Sequence, residues 1–202
     1  MCNMMLIEQT TVPMEALPLK RFKDHLRLGT GFADDDAQDL LLEALLRAAI
    51  GAIEGRTGKV LLVRSFTWTV MAWREAGRQS LPVAPVSAIT ELRVLDRLGA
   101  AQVIDPEAYL MVRDTHRPRL AASGMLLPQI PLGGRAEVDF EAGFGVDWAA
   151  VPADLAQAVF LLAAHYHEHR HEAALGDGAM PFGVMALLER WRTVRVLGGG
   201  AT

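Results

Sequence analysis

A long apolar pattern with helical spacing lies at Val151–Glu172. Its inward positions recur every three or four residues, at Leu155, Val159, Leu162 and Tyr166. This period is typical of an amphipathic α-helix. Pro152 suits the first helical turn, where its missing N–H is not needed, and Asp154 favours the positive end of the helix dipole. The segment predicts a helix that is either a core element or a subunit contact.

Three more helices are predicted from the same kind of pattern. A short amphipathic helix spans Leu17–Leu28, and Gly29 ends it because glycine adopts left-handed backbone angles at low cost. The acidic triplet Asp34–Asp36 caps a second helix, which runs to about Glu54. We attribute the triplet to capping and not to a metal site. A last amphipathic helix is predicted at Phe182–Leu197, with its arginines near the C-terminal end.

The pattern changes to strand-like alternation between the two pairs of helices. Ser65–Trp73 alternates apolar and polar positions, and turn signals separate it from three further strand candidates at Ala88–Asp96, Ala108–Arg113 and Ala136–Phe144. Short strands with turns every ten or so residues predict a small antiparallel sheet.

The fold class predicted from these elements is α+β, mainly a helical bundle with an antiparallel β insertion in its middle. Residues 17–58 form the two N-terminal helices, residues 59–147 the β-rich insertion and residues 148–197 the two C-terminal helices. Residues 1–16 are predicted to be an extended arm, and residues 198–202 a flexible tail.

Composition excludes several classes of protein. The formal net charge is −4, so the chain as a whole is not a nucleic-acid-binding polycation. No apolar run approaches the roughly 18 residues of a membrane span, and the N-terminus lacks the pattern of a signal peptide. We therefore expect synthesis in the cytosol and no membrane partner. The single Cys2 cannot form an internal disulfide.

The strongest candidate for chemistry is the histidine run from His165 to His171. His165 and His169 are four residues apart, as are His167 and His171, a spacing that suits a shared metal ion on one helix face. A metal-dependent hydrolase is therefore one alternative function. The order of residues around Glu168 differs from the zinc-protease motif, and no third ligand is evident, so we favour a solvated cluster at the helix end.

Other catalytic motifs are absent from the sequence. It contains no nucleophile elbow, phosphate-binding loop or dinucleotide fingerprint. We therefore predict no catalytic residues, no metal site and no cofactor, and the chain is predicted not to be an enzyme. A second alternative is a DNA-binding module that uses the arginines of the C-terminal segment.

Several segments, in order, resemble the head–tail connector (adaptor or head-completion) proteins of tailed phages, a family that includes the adaptors of gene transfer agents. The first similar motifs are His25–Leu26–Arg27, the acidic turn at Asp34–Asp36, and Glu54 to Gly58. The later ones are the proline-rich stretch from Leu81 with Ile104 to Met111, the stretch from Val138 to Gly145 followed by the Val151 helix, and Pro181 to Arg192. The chain departs from the family at Tyr166–Arg170, where many members have Tyr-Glu-Asn-Arg.

The resemblance implies a structural role. Such proteins form a ring, often of twelve copies, beneath the portal at the capsid vertex of a particle assembled in the bacterial cytoplasm. The ring extends the DNA channel, through which DNA passes without sequence-specific binding, and offers a surface to a stopper or tail terminator protein. The family's C-terminal segment tends to dock on the portal, so the expected portal-binding residues are Phe182, Leu187, Leu188, Trp191, Arg192 and Arg195.

Overall fold

The computed structural model of the chain describes residues 4–28, 36–169 and 180–192. Its helices are α1 (Leu19–His25), α2 (Asp36–Thr57), α3 (Ala153–Glu168) and α4 (Phe182–Leu188). Its strands are β1 (Met4–Glu8), β2 (Arg64–Val70), β3 (Arg78–Ser80), β4 (Val86–Leu95), β5 (Ala101–Val103), β6 (Tyr109–Val112), β7 (Arg119–Ala122) and β8 (Arg135–Ala142). Among the described residues, no helix is both long and apolar enough to cross a membrane.

The strands of the described residues form two antiparallel sheets. One has five strands in the order β1-β2-β8-β4-β5, and the other has three in the order β3-β7-β6. In β8, Ala136, Val138, Phe140 and Ala142 are buried and alternate with partly exposed polar residues, which is the pattern of a sheet packed on one face. The alternation therefore sets both the register and the buried face of the larger sheet.

The described residues form two hydrophobic cores. The helical core joins α1, α2, α3 and α4, and its fully buried members include Phe22, Leu46, Leu155 and Val184. The second core consists of residues from both sheets, with Trp68, Leu92, Leu120 and Phe140 among them. Burial of apolar side chains is the main stabilising contribution in each.

The predicted dominance of a helical bundle is wrong. The fold is α+β, but the two sheets, with eight strands among the described residues, enclose a core of their own beside the helices. The pattern-based prediction underestimated the strands because several have only three or four residues, too few for alternation to be visible. The predicted domain boundaries stay a prediction.

The N-terminal arm connects the two cores. Its residues Met4–Glu8 pair antiparallel with β2 and form an edge of the five-stranded sheet. The chain then leaves the sheet, and Val12 and Leu17 are buried in the helical core. The Arg47 guanidinium donates a 2.9 Å hydrogen bond to the Val12 carbonyl and fixes this crossing.

Candidate assembly surfaces

The C-terminal segment, in which sequence analysis placed the portal-binding residues, packs closely on α3. Helix α4 ends at Leu188 and continues as a single 3-10 turn to Trp191, so it is shorter than the pattern predicted. Val184 and Leu188 are completely buried, and Trp191 is 6% exposed. These three side chains belong to the helical core in this conformation, where no partner protein can reach them.

A single carboxylate holds Trp191 in place. The Trp191 indole Nε1 donates a 2.7 Å hydrogen bond to Asp154 Oδ2 in the first turn of α3. Arg190 pairs with the same oxygen at 2.7 Å, and its guanidinium lies 4.8 Å from the centroid of the Trp191 ring. Phe144 meets that ring edge-on at 5.5 Å. The arrangement satisfies the indole N–H and fixes the end of α4 against the start of α3.

The other predicted portal-binding residues differ in exposure. Phe182 is 82% exposed at the start of α4, although phenylalanine is usually buried. Leu187 is partly buried against the helical core. The Arg192 side chain is 49% exposed and pairs with Glu189. Arg195 lies outside the described residues. The structure thus divides the predicted set into buried residues that hold the segment and exposed residues that are free to contact a partner.

The described histidines of the run lie at the C-terminal end of α3. The imidazoles of His165 and His169 are 4.2 Å apart between ring centroids, and His169 Nδ1 lies 2.9 Å from the His165 carbonyl oxygen. This contact caps the last turn of the helix. Within residues 4–28, 36–169 and 180–192, no three His, Cys, Asp or Glu side chains are close enough to hold a metal ion. His171 lies outside the described residues.

The five-stranded sheet carries exposed apolar side chains at both edges. On β1, Met4, Met5, Leu6 and Ile7 are 38%, 54%, 37% and 41% exposed. At the opposite edge, Val103 of β5 is 59% exposed, and Leu98 in the turn before β5 is 86% exposed. Neither strand contains a lysine, an arginine or a proline, which soluble proteins commonly use to protect sheet edges. The sequence pattern did not single out either edge.

A buried ion network ties β1 to the helical core. Arg64 Nη2 lies 2.6 Å from both oxygens of Glu54 on α2, and Arg64 Nη1 lies 3.0 Å from Glu8 Oε2 on β1. The Leu61 amide also donates to Glu54, at 2.8 Å. Burial raises the pKa of the Glu54 carboxyl above its usual value, although the neighbouring Arg64 guanidinium opposes the shift. The network therefore keeps a carboxylate inside the protein by pairing it closely.

Sequence reasoning missed most of these features for identifiable reasons. The run from Met4 to Ile7 has four apolar residues in succession, a pattern that carries no strand period and was interpreted as an arm. The Asp154–Trp191 and Glu54–Arg64 contacts join residues that are distant in sequence or on different elements, so spacing alone does not reveal them. The only sign of these two contacts in the sequence was the presence of charged residues inside apolar segments.

Comparison with known proteins identifies the family. No protein-family model and no curated protein sequence matches the chain. Solved structures do match: a chain from the neck of an empty gene transfer agent particle, computed with six-fold symmetry, is 58% identical and superposes with a TM-score of 0.87. A chain from the virion of a native gene transfer agent particle is also 58% identical, with a TM-score of 0.85.

A third match comes from the neck of a native particle computed with twelve-fold symmetry, at 54% identity and a TM-score of 0.82. Each match covers 96% of this chain and 98% of the other. The chain therefore belongs to the neck proteins of gene transfer agent particles, which are head–tail connectors. It is a structural component of such a phage-like particle, located at the junction of head and tail, and it assembles there as part of a ring. The resemblance found in the sequence is confirmed.

Proposed function

We propose that the chain forms a twelve-membered ring beneath the portal, extends the DNA channel, and offers its far side to a stopper or tail terminator protein. The observation that carries the proposal is the 54% identity, over almost the whole chain, to a neck protein in a particle computed with twelve-fold symmetry. In this role the protein is a connector without catalytic activity. The formal net charge of −4 agrees with a channel wall that repels DNA phosphates and binds no sequence.

The proposed portal contact uses the exposed part of the C-terminal segment. Phe182 supplies an exposed apolar side chain at the start of α4, and Arg192 supplies a cation after its end. Leu187, between them in sequence, is partly buried against the helical core. Exposed aromatic and arginine side chains are enriched at protein contacts. Leu188 and Trp191 contribute to the contact only indirectly, because their burial holds α4 and the following Arg192 in place against the helical core. Arg195 follows Arg192 by three residues in the sequence, and we assign it to ion pairs with acidic residues of the portal.

The test is to mix the purified protein with its portal ring and image the mixture by electron microscopy. We expect an added layer under the portal with the portal's symmetry. A well-folded sample that adds no layer would contradict the proposal.

Variants then test the proposed portal contact. Phe182→Ala and a chain ending after Arg192 should each weaken portal binding without loss of fold. Met125→Ala is the matched control, because Met125 is a comparably exposed apolar residue, at 91%, in a different part of the protein. Equal portal affinity for the Phe182 variant and the control would exclude Phe182 from the contact.

A further inference from the structure

We propose that neighbouring subunits of the ring meet through the two edges of the five-stranded sheet, with β1 of one copy beside β5 of the next. The inference rests on the ring proposed above and adds the surfaces that close it. We define the β1 edge patch as Met4, Met5, Leu6, Ile7 and Met71, and the β5 edge patch as Leu98, Val103 and Leu132. All of these side chains are exposed, from 37% for Leu6 to 100% for Leu132.

The first argument is the symmetry of a ring. A cyclic ring of more than two copies needs two different surfaces on each copy, one for each neighbour. The two patches lie at opposite edges of one sheet, separated by four strand spacings or about 19 Å. Each copy thus carries two distinct apolar surfaces that face in opposite directions. A surface used for a two-fold dimer would instead be a single patch that contacts itself.

The second argument is strand direction. Every neighbouring pair in the order β1-β2-β8-β4-β5 is antiparallel, so four reversals leave β1 and β5 pointing the same way. Rotation about a ring axis keeps strand direction relative to that axis. The β5 strand of one copy and the β1 strand of the next are therefore parallel where they meet. Pairing of β1 with a second β1 would need a two-fold axis, which closes a dimer and leaves no ring.

The third argument is register. One row of directly opposed residues crosses all five strands on the face away from the sheet core, in the order Met5, Thr69, Glu137, Arg93 and Val103. The row begins and ends in a half-exposed apolar side chain, at 54% for Met5 and 59% for Val103. When β5 of one copy lies beside β1 of the next, Val103 of the first packs against Met5 of the second. The polar residues in the middle of the row, Thr69, Glu137 and Arg93, lie within one copy and away from the contact.

The fourth argument is the chemistry of the edges. Within the described residues, β1 and β5 each have a neighbouring strand on one side only, so their outer backbone N–H and C=O groups are available to another strand. The first four residues of β1 and all three of β5 are uncharged. Main-chain hydrogen bonds between edges add to the burial of apolar side chains, as in other cases of strand addition. At each edge, a second copy of the chain supplies a strand for main-chain hydrogen bonds and apolar side chains to be buried.

The experiment is thiol cross-linking in the assembled ring. All variants carry Cys2→Ser, because the native thiol is close to β1 in sequence. The test variant combines Met5→Cys with Val103→Cys, and it is assembled on the portal and treated with a short bifunctional thiol reagent. The two positions lie about 19 Å apart within one chain, so a short reagent joins them only between copies. We expect a ladder of covalent species larger than a dimer.

Control variants give each outcome a meaning. Met5→Cys alone and Val103→Cys alone should give no ladder, and neither should Met5→Cys combined with Leu110→Cys, since Leu110 is 45% exposed but lies in the other sheet. A ring seen by microscopy without a ladder would overturn the edge contact and leave the ring proposal intact. Dimers from Met5→Cys alone would indicate β1–β1 pairing and also overturn it. Failure of the Cys2→Ser parent, in which both edges are unchanged, to form a ring on the portal would overturn both proposals.

Discussion

The Trp191 indole and the Asp154 carboxylate, 2.7 Å apart, join the end of the described chain to the start of α3. The same oxygen, Asp154 Oδ2, also pairs with Arg190. The contact explains why a segment expected to bind a partner is also part of the core. The two roles are separable by mutation, because the buried and the exposed residues of the segment are different.

Asp154→Ala should lower the free energy of unfolding by about 1–3 kcal/mol, because the nearly buried indole N–H loses its acceptor. Trp191→Ala should lower it by about 3–5 kcal/mol, since it removes a large side chain from the helical core. Urea unfolding measures both. Glu189→Ala is the control, because its pair with Arg192 is on the surface, and it should change stability by less than about 0.5 kcal/mol. A loss for Trp191→Ala as small as that of the control would contradict the packing described here.

Arg64→Met should destabilise the protein by about 3–5 kcal/mol at neutral pH, because Glu54 is left as a buried carboxylate without its cation. The pKa of Glu54 is already raised by burial, and loss of Arg64 raises it further. A group with a raised pKa in the folded state binds protons more readily there than in the unfolded state. The stability of the Arg64→Met variant relative to the parent should therefore recover as pH falls through the pKa of Glu54 and be lost again as pH rises.

The matched control for this pH dependence is the double variant Arg64→Met with Glu54→Gln, which lacks the buried titrating carboxyl and keeps only the more exposed Glu8 at the site. Its stability relative to a Glu54→Gln parent should be flat over the same pH range. Chemical denaturation at a series of pH values measures each difference. A double variant with the same pH recovery as Arg64→Met would show that another group is responsible.

Gly143→Ala should be strongly destabilising, by about 3 kcal/mol or more, because a methyl group there would lie 2.5 Å from the Val63 amide nitrogen and the backbone φ is +140°. Gly55→Ala provides the opposite case. It lies within α2 with no atom within 4 Å of an added methyl group, so the substitution should stabilise the protein by about 0.5–1 kcal/mol. Thermal unfolding of the two variants should shift in opposite directions. A tolerated alanine at position 143 would refute the close approach of the two segments.

Elements with a clear local periodicity could be predicted from the sequence, and elements that depend on contacts with distant residues could not. Helix α3 was predictable because its apolar positions repeat every three or four residues and Pro152 marks its start. The central strand β8 was predictable because one of its faces is buried and the other is polar. The edge strand β1 was not, since an apolar run gives no period, and its assignment depends on pairing with β2, some sixty residues later. The bundle was overestimated because several strands have only three or four residues, too few for alternation to be visible.

The candidate assembly surfaces also depend on contacts between residues that are distant in sequence. Composition drew attention to the C-terminal helix, but Leu188 and Trp191 belong to the core, and only the three-dimensional contacts with α3 reveal this. No local signal distinguishes a tryptophan that packs inside from one that contacts a partner. The edge patches depend on strand order, which a sequence of short strands leaves open.

The helical core contains residues from both ends of the described chain, from Val12 and Leu17 to Val184, Leu188 and Trp191. During synthesis, helix α2 is therefore complete long before Val184, Leu188 and Trp191 are added to the helical core. A chain that stops early, through a nonsense mutation or an interrupted message, cannot close this core and exposes apolar surface. We therefore expect only complete copies, in which both ends of the chain have closed the helical core, to join the ring.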